Sequence, residues 1–145
     1  MFKDILVPVD GSGASVKAIE KAAAIAQAFK SRVTVVCVID SYAFTGIGTD
    51  VAYGQNEYLA AATAEATLSL NSASEVFAAS GVDVQASVIE GQSIYKSILD
   101  AAVSSDADLI VMGSHGRKGL EKLVLGSVAA QVLSHTHLPV MIVRE

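Results

Sequence analysis

A single cysteine, Cys37, stands in 145 residues, so no intrachain disulfide can form and the chain reads as cytoplasmic. Cations are scarce too: ten lysines and arginines against fifteen acidic residues leave a net charge of −5. That balance argues against binding nucleic acid through a broad basic surface, and any anion must be held locally. No apolar run approaches the roughly 18 residues that a membrane span requires. Lys3, Asp4 and Asp10 interrupt the opening MFKDILVPVD too early for a signal-peptide apolar region. Charge is sparse throughout, 17 % against 52 % hydrophobic, which argues against disorder and supplies a real core for one domain over residues 1–145. No internal repeat or linker divides it.

What the chain does have is a regular alternation of periods. Five short apolar runs recur: 5–9 (ILVPV), 33–39 (VTVVCVI), 82–89 (VDVQASVI), 109–112 (LIVM) and 140–143 (VMIV). VTVVCVI is apolar on both faces and rich in β-branched residues, the pattern of a parallel strand covered by helices on both sides. VDVQASVI alternates, which suits an edge. Between the runs the period becomes helical. Residues 14–29 align Val16, Ile19, Ala23, Ala26 and Phe29 on one stripe. Residues 57–79 align Leu59, Ala62, Ala66, Leu70, Ala73 and Phe77, and residues 92–103 align Ile94, Ile98 and Ala101, with Ser93 as N-cap. A last helix is expected from Ser127 to about His135, after which Pro139 resets the chain. Strict β-α alternation predicts an α/β fold: a doubly wound, five-stranded parallel sheet of Rossmann-like order 3-2-1-4-5 with helices on both faces. Residues 41–56, with glycines at 46, 48 and 54, have no clear period and predict a long loop that either covers the strand ends or is a surface insertion.

In such sheets ligands sit beyond the carboxyl ends of the strands, where the winding reverses. The first strand ends at Val9-Asp10-Gly11-Ser12 and the fourth at Met112-Gly113-Ser114-His115-Gly116, where the stretch GSHGRKGLEKLVLGS, residues 113–127, begins. Gly113 and Gly116 allow close backbone approach, and their N–H groups, with those of Ser114 and His115, can form an anion-binding concavity. The chain returns at Gly126-Ser127, where a helix N-terminus offers free N–H groups and a positive dipole end. Ser127 is expected as N-cap when no phosphate is bound. The stretch lacks the Gly-Lys-Ser/Thr ending of a P-loop. DGSGAS has Val16 where a dinucleotide fingerprint needs its third glycine. GQSIY lacks the closing glycine of a nucleophile elbow, and the first strand lacks the acidic pair of a phosphoreceiver.

The spacing Gly-x2-Gly-x9-Gly-Ser, together with ILVPVDGS, VCVID, DLIVMGSHGR, LVLGSVA and LPVMIVR, resembles the ATP-binding branch of the universal stress protein family over nearly the whole chain. The resemblance implies that Asp10 and Val38 hold the adenosine end, and that the glycine loop and Ser127 hold the phosphates. It also implies a homodimer formed through the last strand, residues 139–143 from Pro139 to Val143. The activity it implies is that of a stress-response signalling module with weak or no hydrolysis, read by a regulated protein partner. The candidate contacts are therefore Pro8, Val9, Asp10, Val38, Met112, Gly113, Ser114, His115, Gly116, Arg117, Gly126, Ser127 and Val128. The expected ligand is ATP, with ADP and AMP as alternatives and Mg²⁺ as an accompanying ion, since Asp10 would repel bare phosphate.

Other residues carry less. Arg117, Lys118 and Lys122 form a local basic patch that either attracts phosphate or solubilises the loop. His115 has no carboxylate near it in sequence, which argues against a general base. His135 and His137 do not share a helix face, so they do not read as a metal pair. Two further functions stay open at this level: a slow nucleotide hydrolase or transferase using His115, and a dimeric interaction module that binds no nucleotide.

Overall fold

The β-branched runs become strands and the stripes become helices. A computed structural model describes residues 1–41, 51–115 and 125–145. The elements are β1 (Asp4–Pro8), α1 (Gly13–Phe29), β2 (Arg32–Asp40), α2 (Val51–Ala79), β3 (Asp83–Gly91), α3 (Ile94–Ser104), β4 (Leu109–Gly113), α4 (Ser127–His135) and β5 (Val140–Val143). The five strands are parallel in the order β3-β2-β1-β4-β5, the expected doubly wound α/β sheet.

Because side chains alternate along a strand, the central strand feeds two cores. Ile5, Val7 and Val9 join Val33, Val35 and Val111 beneath α1 and α2. Leu6 joins Val36, Ile110 and Met112 beneath α3 and α4. This is why both faces of VTVVCVI are apolar. On α2 the predicted stripe holds: Ala66, Leu70, Ala73 and Phe77 are buried, and burying Phe77 fully contributes roughly 2–3 kcal/mol.

The structure differs from the periodicity in several places. In α1 the buried side is Ala14, Ser15, Ala18, Ile19, Ala22, Ala23 and Ala26, whereas Val16 is 50 % exposed. The small residues let α1 lie close to the sheet, and a branched side chain would hold it away. Phe29, at the helix end, is half exposed and meets Phe2 edge-on. α2 starts at Val51, not Glu57, so the expected loop over 41–56 loses its last six residues to the helix. Tyr58 and Leu59 pack on the core and anchor that first part of α2, from which a helix extends at little cost. Residues 42–50 of that loop lie outside the described residues. Among the described residues no helix is long and apolar enough to cross a membrane.

Candidate functional site

β1 and β4 are tied at one end and parted at the other. At the tied end the Asp108 carboxylate accepts the N–H groups of Lys3 (2.9 Å) and Asp4 (3.1 Å). Pairing of β1 with β4 then stops at Leu6↔Ile110, two residues before β1 ends. Pro8, with no N–H to offer, occupies the last position of β1, where no β4 residue pairs with it. The strands separate at the point where the winding direction reverses, and a cleft of about 510 Å³ opens there. That volume suits a small-molecule ligand. Its floor is Pro8, Val9, Val38, Ile94, Ile98 and Met112, and its polar groups come from Asp10, Ser15, Asp40, Tyr58, His115 and Ser127.

Asp10 is held rigidly at one side. Its Oδ1 accepts the N–H of Ser12 (2.9 Å) and the hydroxyl of Ser15 (2.7 Å), while its own N–H donates to Ser15 Oγ (3.0 Å). Gly11 adopts φ 81° between Asp10 and Ser12, a left-handed conformation that glycine takes without strain. Ser12 then caps α1, its hydroxyl accepting the N–H of Ser15 at 3.2 Å.

The opposite side is built from the end of β4 and the start of α4. The Gly126 N–H donates to the Ser114 carbonyl at 2.6 Å, so the two halves of the glycine stretch touch directly. A Cβ on Gly126 would stand 3.0 Å from His115 Cα, which is why the residue must be small. Gly126, not Ser127, is the N-cap of α4, and no side chain caps the helix. The N–H groups of Ser127, Val128 and Ala129 precede the first intrahelical bond, from Ala130 N–H to the Gly126 carbonyl (2.9 Å). No acidic residue of α4 sits in that first turn, so the helix itself supplies no charge against its positive dipole end at the cleft.

His115 faces the cleft, and tertiary structure gives it the carboxylate that sequence proximity did not. Its Nε2 lies 3.5 Å from Glu145 Oε2 and its Nδ1 lies 3.1 Å from Ser114 Oγ. The Glu145 carboxylate rests against the bare Cα of Gly13 at the start of α1. This serine–histidine–carboxylate chain offers no open nucleophile, because Ser114 is only 2 % exposed. Ser114 Oγ and the Glu145 carboxylate flank the imidazole at its two nitrogens.

Of the thirteen predicted contacts, Pro8, Val9, Asp10, Val38, Met112, Gly113, His115, Gly126, Ser127 and Val128 line one cleft. Ser114 lies behind it, its N–H spent on the Val143 carbonyl (2.8 Å) and its carbonyl on Gly126. Gly113 lines the cleft but owes its missing side chain to α1: a Cβ there would meet the Ala14 backbone at 2.9 Å. Gly116 and Arg117, and with them Lys118 and Lys122, lie outside the described residues. Ser15, Asp40, Tyr58, Ile94, Ile98 and Ala129 also line the cleft and were not foreseen. Asp40 closes the quoted VCVID and Ser15 closes DGSGAS, so the signal lay next to the assigned motifs. Tyr58 reaches the cleft only because of where α2 packs.

A model of the universal stress protein family matches residues 1–144. The universal stress protein MJ0531 of Methanocaldococcus jannaschii is 34 % identical, over 100 % of this chain and 84 % of its own. The universal stress protein UspA of Lactobacillus plantarum superposes with a TM-score of 0.86 at 28 % identity, over 98 % of this chain and 97 % of that one. A universal stress protein of Archaeoglobus fulgidus, solved in complex with dAMP, shares the fold with a TM-score of 0.72 at 23 % identity, over 97 % of each chain.

Proposed function

The chain belongs to the universal stress protein family, and from that premise we propose that it is a cytoplasmic ATP-binding regulatory protein of the stress response. It acts as a homodimeric, nucleotide-dependent signalling module that a partner protein reads. One observation carries the reading: a single cleft presents a fixed carboxylate on one side and, on the other, a helix N-terminus with no acidic residue in its first turn. The two ends suit the two ends of a nucleotide. Asp10 accepts hydrogen bonds and repels phosphate, so it takes the hydroxyls of the sugar, while Val38 forms an apolar wall for the base. The N–H groups of Ser127 and Val128 take phosphate oxygens. The dAMP complex of the Archaeoglobus protein accords with this reading through fold likeness alone.

Fast hydrolysis requires a positioned base and charge stabilisation at the γ-phosphate. Both ring nitrogens of His115, the one imidazole among the described residues of the cleft, already have partners. Mg²⁺ keeps several waters and binds readily to phosphate oxygens, so Mg²⁺ accompanying ATP would be held chiefly by the nucleotide and water.

The test is mass analysis of nucleotide released when the purified protein is denatured, followed by incubation of the loaded protein with Mg²⁺. Stoichiometric ATP that stays intact is the expected result. Rapid appearance of ADP would make the protein a hydrolase, and absence of nucleotide with no binding of added ATP would make it an interaction module.

A further inference from the structure

Ser15 has no place in the ligand set proposed above, yet it lines the cleft, is only 4 % exposed and touches Asp10 twice. A carboxylate on a strand-end turn has two soft torsions and would ordinarily sample several orientations. Here Oδ1 receives two donors, the Ser12 N–H at 2.9 Å and the Ser15 hydroxyl at 2.7 Å. The hydroxyl hydrogen is committed to Asp10 because Ser15 Oγ accepts the Asp10 N–H at 3.0 Å. Main chain and side chain of Asp10 are thus clasped by one serine, in the first turn of a helix that packs on the sheet. With Oδ1 spent, Oδ2 is the oxygen left for a ligand.

We propose that Ser15 is a positioning residue that makes the site selective for a sugar hydroxyl at one place, so that ribose binds better than a sugar lacking both its 2′- and 3′-hydroxyls. The proposal rests on the nucleotide reading and extends it to specificity. An ionised carboxylate accepts and never donates, so a fixed Oδ2 rewards a ligand hydroxyl at one place and gains nothing from a hydrogen there. Selectivity of this kind grows when the acceptor, part-buried and clasped in place, cannot turn to another partner if the hydroxyl is missing. A loose Asp10 could turn to water instead, and the discrimination would shrink. Ser12 provides the internal comparison: its hydroxyl caps α1 but does not touch the carboxylate.

The experiment is calorimetric titration of the full chain with ATP and with 2′,3′-dideoxy-ATP, for the natural protein, Ser15→Ala and Ser12→Ala. The natural protein should bind ATP more tightly than the dideoxy nucleotide. Ser15→Ala should lose about tenfold in ATP affinity, the worth of one charge-assisted hydrogen bond, with dideoxy-ATP affinity unchanged. Ser12→Ala should lower the melting temperature and keep the ratio of the two affinities. Equal weakening of both nucleotides by Ser15→Ala, or no weakening of ATP, would overturn the positioning role while leaving nucleotide binding intact. Equal affinity of the natural protein for both would remove the ribose contact itself. Failure of the natural protein to bind either nucleotide would overturn the nucleotide reading and this proposal with it.

Discussion

Gly113 and Gly126 look equivalent in the sequence, yet they face different neighbours. The bare side of Gly126 faces the Ser114–His115 backbone, with a Cβ position 3.0 Å from His115 Cα and 3.1 Å from the Ser114 carbonyl. Gly126→Val should push the two halves of the glycine stretch apart and weaken ATP binding at least tenfold, with a smaller effect on the unfolding midpoint. The bare side of Gly113 faces α1, with the Ala14 carbonyl carbon 2.9 Å from a Cβ. Gly113→Val should therefore destabilise the fold itself by roughly 1–3 kcal/mol, the usual cost of overpacking. Denaturant titration and ATP titration on both variants separate the two effects. Equal loss of stability in both would mean that Gly126 is a packing glycine as well. Gly11 belongs to a third class, needed for its φ of 81° rather than for space.

Among the elements, β5 bears on assembly because, among the described residues, no strand lies beside its outer edge. The Ile110 N–H donates to the Pro139 carbonyl and the Ser114 N–H to the Val143 carbonyl. Alternation along a parallel strand then turns the N–H of Met141 toward β4 and those of Val140 and Ile142 outward. A second copy pairing along this edge would use the outward groups, and Met141, 39 % exposed, would be covered only in part by its own chain. Ile142→Pro removes an outward donor and should shift the proposed dimer to monomer in light-scattering measurements. Met141→Pro breaks the ladder to β4 and should lower the melting temperature besides. A dimer that survives Ile142→Pro with unchanged affinity would place the interface elsewhere. The same alternation explains a mixed result in the sequence reading: the four residues of β5 were recognised, but only the ladder reveals which of them face out.

At the scale of the molecule, the cleft is where the fold divides. One wall hangs from β1 and α1, the other from β4 and α4, and pairing between β1 and β4 ends before the cleft begins. A ligand that bridges both walls binds only the folded state. ATP at a hundred times its dissociation constant should therefore raise the unfolding free energy by about 2.7 kcal/mol. Thermal denaturation at several ATP concentrations measures this, and a midpoint independent of ATP would contradict the bridging arrangement. Adenosine alone, which cannot reach the start of α4 through phosphate, should stabilise less at the same concentration.

Much of this was legible in the chain because it depends on local pattern. Period-two and period-3.6 alternation set the strands and helices, and β-α order with right-handed crossovers left few topologies, so the 3-2-1-4-5 sheet followed. The family resemblance carried by the glycine spacing and the strand ends named thirteen residues, of which ten line one cleft. Other features required the packed molecule. Glu145 reaches His115 across 30 positions of sequence because β4 and β5 are neighbours and α1 leaves room at Gly13. Ser15, the last residue of DGSGAS, becomes the clasp on Asp10 only when the first turn of α1 folds back on the end of β1. Ser127 exchanges its expected capping role with Gly126, because a cap is set by backbone angles and not by residue type alone. Periodicity and motif spacing are properties of the chain, so the sequence by itself determined the fold and the strand ends at which the cleft opens. Which groups touch, and which are left free for a ligand, depends on contacts between distant segments, and only the tertiary structure decided that.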